Sequence, residues 1–142
     1  MKRKKRTEIL INGSHHLAEE LAKEIEKKYE IEMIQEPQHG MVMLKTRETS
    51  QKTLFYLGEV LVTECKVGIR NSIGMGIVQG DLPEFAYYLA IIDAAFQEEL
   101  AETAAWIEKL EKEEKRIQEE RGTFYKDVLR TKVSFETMDA SS

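Results

Sequence analysis

The sequence predicts an α+β fold: N-terminal helices, an antiparallel β-meander, a long amphipathic helix and an extended C-terminal tail. Three observations carry this expectation. Apolar residues recur every three or four positions over residues 14–29 and again from residue 85 to residue 110, the period of a helix with one buried face. Between these stretches, residues 41–80 form short runs rich in β-formers, separated by polar or glycine-containing breaks, the pattern of short strands and turns. The 142 residues suit a single domain over 1–142 that buries about two-thirds of its unfolded surface.

The chain opens with a basic run, KRKKR at residues 2–6, in a protein of formal net charge −5. The remainder holds 16 basic and 26 acidic side chains, a balance of −10. Such a body repels a phosphate backbone, and no aromatic residue interleaves with the basic run to stack a base, so nucleic acid is not an expected partner. Residues 1–6 read as a solvated, frayed head. Residues 7–11 suit a short helix that breaks at Gly13. Asn12 and Ser14 are competent N-caps for a second helix, whose apolar face is Leu17, Ala18, Leu21, Ala22 and Ile25.

After that helix, Ile31 and Ile34 lie in a short β-prone stretch, and Pro37 and Gly40 punctuate a turn. Strands are expected over 41–46, 53–57, 60–67 and 75–79, with Gly58 at a turn or a bulge. Asp81 is placed to cap a helix whose first position is near Pro83, with Glu84 completing a capping box. Phe85, Leu89, Ile92, Phe96, Leu100, Ala104, Ile107 and Leu110 then keep helical spacing. A continuous helix over 84–121 would span about 57 Å, against a diameter of about 37 Å for a globule of this length. It must break or project. If it projects, Ile107, Leu110 and Ile117 need apolar cover, and another chain is the readiest source; a fold-back near Thr103 is the alternative. Gly122 is an expected stop. Residues 133–138 look extended, an added strand or a partner-binding tail that brings in Phe135.

The chemistry that these residues could carry is sparse. Gly74, Gly76 and Gly80 resemble a nucleotide fingerprint, but Gln79 and Asp81 stand where the dinucleotide and phosphate loops need other residues, and a meander lacks the parallel strand–helix–strand context. They read as structural glycines. His15 and His16 are adjacent and diverge on a helix, and the Glu36–His39 spacing contains a proline, so no metal site is expected. Cys65, the one cysteine, can form no internal disulfide and reads as a buried structural thiol. Glu98 and Glu102 share a helical face and read as solvated. Arg47, ending an apolar strand, has the planar fork that suits a phosphonate or phosphate oxygen pair, with Glu59 and Thr63 able to complete a polar cluster. A salt bridge to Glu48, Glu59 or Glu64 is the plainer reading of Arg47. No run of apolar residues approaches the roughly 18 of a membrane span, and the amino-terminus lacks the pattern of a secretory signal, so a cytoplasmic protein is expected.

The order of motifs adds what none gives singly. Gly40-Met-Val-Met-Leu-Lys-Thr-Arg47, Phe55-Tyr-Leu-Gly-Glu-Val-Leu-Val-Thr-Glu-Cys65 and Gly74-Met-Gly-Ile-Val-Gln-Gly-Asp81 follow one another. The helix around Ala90-Ile-Ile-Asp93-Ala94 and the closing Thr131-Lys-Val-Ser-Phe-Glu-Thr-Met-Asp139 complete the series. Together they resemble the G-subunit family of the bacterial carbon–phosphorus lyase core complex, over residues 7–139 and best over 40–96. The resemblance implies a subunit of the phosphonate-degrading machinery, partnered chiefly by the large I subunit, with the H, J and L subunits. It implies a first step in which a phosphonate displaces adenine from ATP, giving a ribose 1-phosphonate 5-triphosphate, so the chain belongs to a transferase without being catalytic alone. Mg-ATP is then a substrate of the complex, and this chain alone binds no cofactor. The I subunit is usually assigned the catalysis, and the iron–sulfur J subunit later cleaves the carbon–phosphorus bond. A different class remains open on the residues themselves: a non-enzymatic adaptor or small-ligand-binding module, pairing with a second copy when isolated.

Overall fold

The structure is a computed structural model that describes the backbone of residues 1–47 and 54–141 and the side chains of residues 1–43 and 58–122. The elements run α1 (Arg3–Asn12), α2 (His15–Lys28), β1 (Glu32–Arg47), β2 (Leu54–Ile69), β3 (Ser72–Gln79), α3 (Pro83–Gln97) and α4 (Glu102–Ser141). The α+β expectation holds. The strands form one antiparallel sheet in the order β1-β2-β3.

The two N-terminal helices form as the spacing predicts, with Ser14 accepting a hydrogen bond from the His16 N–H at the start of α2. The head, however, is not frayed. Helix α1 begins at Arg3, and Arg6 is buried. The cause lies far along the chain: Arg3 and Arg6 donate to the carboxylate of Asp93, at 2.7 and 3.2 Å, and the same carboxylate accepts the Met75 N–H at 2.9 Å. One buried anion on α3 thereby fixes α1 and occupies an outward N–H of edge strand β3. Burial works against the Arg6 charge and lowers its pKa, and Asp93 offsets that penalty.

The meander is simpler and longer than expected. Three strands replace the anticipated series, and β1 and β2 each run 16 residues. Pro37 and Gly40 do not turn the chain. Pro37 sits where the ladder steps from Gln35↔Lys66 to Gln38↔Glu64, a bulge on an edge strand, where a missing N–H leaves no ladder bond unmade. Gly58 likewise lies inside β2, at a further irregularity between Leu44↔Gly58 and Lys45↔Tyr56; its φ of +146° is a region that side chains rarely adopt.

Helix α3 is apolar nearly all round and is buried along most of its length, between the sheet and the other helices. Its Ala86, Ala90 and Ala94 lie against the buried Gly74 and Gly76 of β3. A Cβ on Gly74 would come within 2.1 Å of the Ala90 carbonyl oxygen, and one on Gly76 within 2.1 Å of that of Ala86. These glycines are structural, as expected, but they serve a backbone-to-backbone seam and not a turn.

The long helix breaks. Glu99 adopts φ +54°, the Leu100 N–H bonds the Ala95 carbonyl at 3.1 Å and the Glu99 N–H bonds the Phe96 carbonyl at 3.1 Å, the paired pattern of a Schellman cap. Reversal here lays α4 against α1 and α2. Trp106 Nε1 donates to Glu24 at 3.0 Å and meets the Phe96 ring edge-on, with centroids 5.8 Å apart, while Glu113 accepts the Ser14 N–H at 3.1 Å. Leu110 and Ile117 are therefore in the chain's own core, and Ile107 is half-buried. The expectation that Leu110 and Ile117 await a partner is corrected. Past the break, Gly122 does not stop α4, and residues 133–138, expected to be extended, are helical. The side chain of Phe135 falls outside the described ones.

Candidate functional site

The register of the sheet disperses the polar cluster that the sequence suggested. Thr63 pairs with His39, Glu59 with Met43 and Arg47 with Leu54. Consecutive members are thus four β1 positions apart, about 13 Å along the strand. Thr63 is buried and fully engaged, donating from Oγ1 to the Gly80 carbonyl at 2.6 Å and accepting the Leu82 N–H at 3.1 Å. It closes the β3–α3 corner, with its hydroxyl spent on the chain's own backbone. Glu59 is exposed; the Arg47 side chain lies outside the described ones.

What the fold assembles instead is a His–Asp pair that the sequence did not suggest. Asp81 does not cap α3. Leu82 is the N-cap residue, without a side-chain bond, and Asp81 Oδ1 lies 2.7 Å from His39 Nε2. A carboxylate only accepts, so Nε2 carries the proton and Nδ1 can accept another in the neutral ring. The signal was unreadable locally: the two residues are brought together across β2 by the three-strand register.

Asp81, the carboxylate of the pair, also lines a cleft of about 390 Å³ where α2 and α3 begin, together with His15, His16, Glu84, Phe85 and Tyr88. His15 stacks on Phe85, with ring centroids 4.0 Å apart. Burial, and then the Glu19 charge, push the Tyr88 phenol upward. The mixed acids and imidazoles can exchange a proton or orient a polar group. Among the described residues, no group of three His, Cys, Asp or Glu side chains is placed to hold a metal ion.

A wider cleft of about 570 Å³ opens between α2 and the β2–β3 hairpin, where Lys28 and Arg70 supply the cations. Both are engaged: Arg70 lies over the Tyr29 ring at 5.0 Å, and Lys28 is 3.6 Å from Glu102, which also accepts from the Tyr29 hydroxyl at 3.0 Å. That bond, ahead of burial, raises the Tyr29 pKa.

Cys65 is buried on the helix-facing side of β2, and burial pushes its thiol up to about 11. The thiolate is disfavoured, so the native protein should resist alkylation at pH 8 and react rapidly once denatured. Timed labelling read by intact mass checks this; prompt native labelling would contradict it.

Fold and cleft together define a domain of helices on an antiparallel sheet, whose glycine-rich strand is filled by its own helix and leaves no phosphate cradle. The family model described as phosphonate metabolism protein PhnG matches residues 1–139, and the chain belongs to that family. Its role lies in phosphonate metabolism. The match includes the basic run at residues 2–6, which the resemblance had left out and which α1 now explains. No curated protein matches the chain. No helix among the described residues is long and apolar enough to cross a membrane.

Proposed function

We propose that the chain is a non-autonomous subunit of the carbon–phosphorus lyase system that supports displacement of adenine from ATP by a phosphonate, giving a ribose 1-phosphonate 5-triphosphate. The observation that carries this reading is the family match over residues 1–139. Departure of adenine builds positive charge at the ribose C1, and the nucleophile is an anion that must be held in line. Orientation and fixed charge therefore supply much of the rate. A small subunit contributes by completing a pocket on a larger one.

In this reading the large I subunit is the chief partner and supplies the catalytic groups, with H and L in the same step and J acting later. Mg-ATP is bound by the assembly. The docking surface moves from the helices, whose apolar residues are spent internally, to the open face of the sheet, where Ile73 is 61% and Ile77 42% exposed. Arg47, at the far end of β1, is the residue of this chain that faces the shared anion site.

Adenine release from ATP, measured with the sibling subunits and methylphosphonate, tests the proposal. Omitting this chain should abolish release. Arg47→Ala should lower it about tenfold or more, as loss of a charge-assisted contact would, without loss of co-purification. Undiminished release by the siblings alone would overturn the assignment of function. Unchanged release and assembly with Arg47→Ala would remove Arg47 from the site.

A further inference from the structure

The two edges of the sheet are treated differently. Beside β3 stand Asp93, which takes the Met75 N–H, and the α1 arginines that hold Asp93. Edge strand β1 instead carries five of the ten large apolar side chains described as exposed: Met33 at 44%, Ile34 at 45%, Met41 at 57%, Val42 at 45% and Met43 at 54%. A long edge of this kind is a template for an added strand.

Its far half is also unsupported. Pairing of β2 with β3 ends at Val62↔Gln79, whereas pairing of β1 with β2 continues from Met41↔Leu61 to Arg47↔Leu54. Beyond Leu61 the sheet is therefore a two-stranded arm, an arrangement of marginal stability in water. Met41, Met43 and Leu61 continue the side of the sheet that elsewhere carries the helices.

We propose that β1 pairs along this edge, antiparallel, with β1 of a second copy of the chain. The charge order along the strand selects that occupant. Glu32 and Glu36 stand in its first half, Lys45 and Arg47 in its last part. Antiparallel apposition about the middle of the strand brings the acidic end of each copy to the basic end of the other; parallel apposition would align like with like. A two-fold axis perpendicular to the sheet keeps both sets of helices on one side of a six-stranded sheet. It lays the two-stranded arm of each copy beside the helix-backed half of the other, so that Met41 and Met43 gain apolar cover. Methionine is suited to such adaptable packing.

The inference does not rest on the proposed function, and it is tested with the full chain alone. Molar mass by light scattering across a concentration series should report a dimer. Lys45→Glu with Arg47→Glu should weaken it about tenfold or more at low salt. Adding Glu32→Lys and Glu36→Lys should restore it, with far-UV circular dichroism confirming the fold of each variant. A chain monomeric to its solubility limit, including one that uses β1 only with a different subunit, would overturn the proposal. So would a dimer indifferent to the reversal, or one that the charge swap fails to restore.

Discussion

Gly74→Ala is expected to be the most damaging single-methyl change in the protein. The added Cβ would meet the Ala90 carbonyl oxygen at 2.1 Å, the Ala94 amide nitrogen at 2.3 Å and the Ala94 Cα at 2.7 Å. All are backbone atoms, so no rotamer change relieves the clash; strand and helix must separate. Separation pulls α3 from the sheet along a line of buried side chains that includes Leu89, Ile92 and Ala94. A cost of about 3 kcal/mol or more follows, lowering the melting temperature by on the order of 10 °C for a chain of this size. Gly122→Ala is the matched control. It lies in helix α4 with nothing near its missing Cβ, and there alanine should raise stability by up to about 1 kcal/mol. Thermal denaturation followed by circular dichroism reads both. If Gly74→Ala melted with the wild type, the close seam would not exist.

Asp93→Ala should be nearly as severe for a different reason. It strands the Arg6 guanidinium, whose side chain is 9% exposed, without its counter-charge, and leaves the Met75 N–H without its acceptor. Breaking a buried pair from one side costs about 3–5 kcal/mol. Arg3 matters less, because its side chain is 50% exposed and water can replace the lost bond. Asp93→Asn keeps an oxygen for the amide but not the charge, so it should fall between wild type and alanine. Adding Arg6→Leu to Asp93→Ala should recover stability, since the stranded charge is then gone. Denaturant midpoints of the four proteins decide the matter: no recovery in the double variant would mean that the loss comes from the strand edge and not from the arginine.

The parts of the fold that were legible in the sequence are those governed by local rules. The amphipathic period of α2, the α3 onset at Pro83 and the sheet between two helical stretches all emerge as the spacing predicts. What was not legible depends on distant partners. The basic run at residues 2–6 looks solvated until Asp93, some ninety positions on, is placed beside it. The break at Glu99 has neither glycine nor proline to announce it, because the left-handed position is held by the cap bonds and by the burial of Leu100. Pro37 and Gly40 look like a turn, yet an edge strand tolerates both. The same blindness governs the site. Only the ladder register reveals that Thr63 seals a corner and that Asp81 meets His39 instead of capping α3.

Trp106, the one tryptophan in the sequence, is 1% exposed and wedged where α2, α3 and α4 converge. Its emission is consequently a single-site optical reporter of helix docking: short-wavelength while the three helices are joined, shifted to the red when α4 swings away. Because the indole is buried among the helices, association along the outer strand should leave the spectrum unmoved.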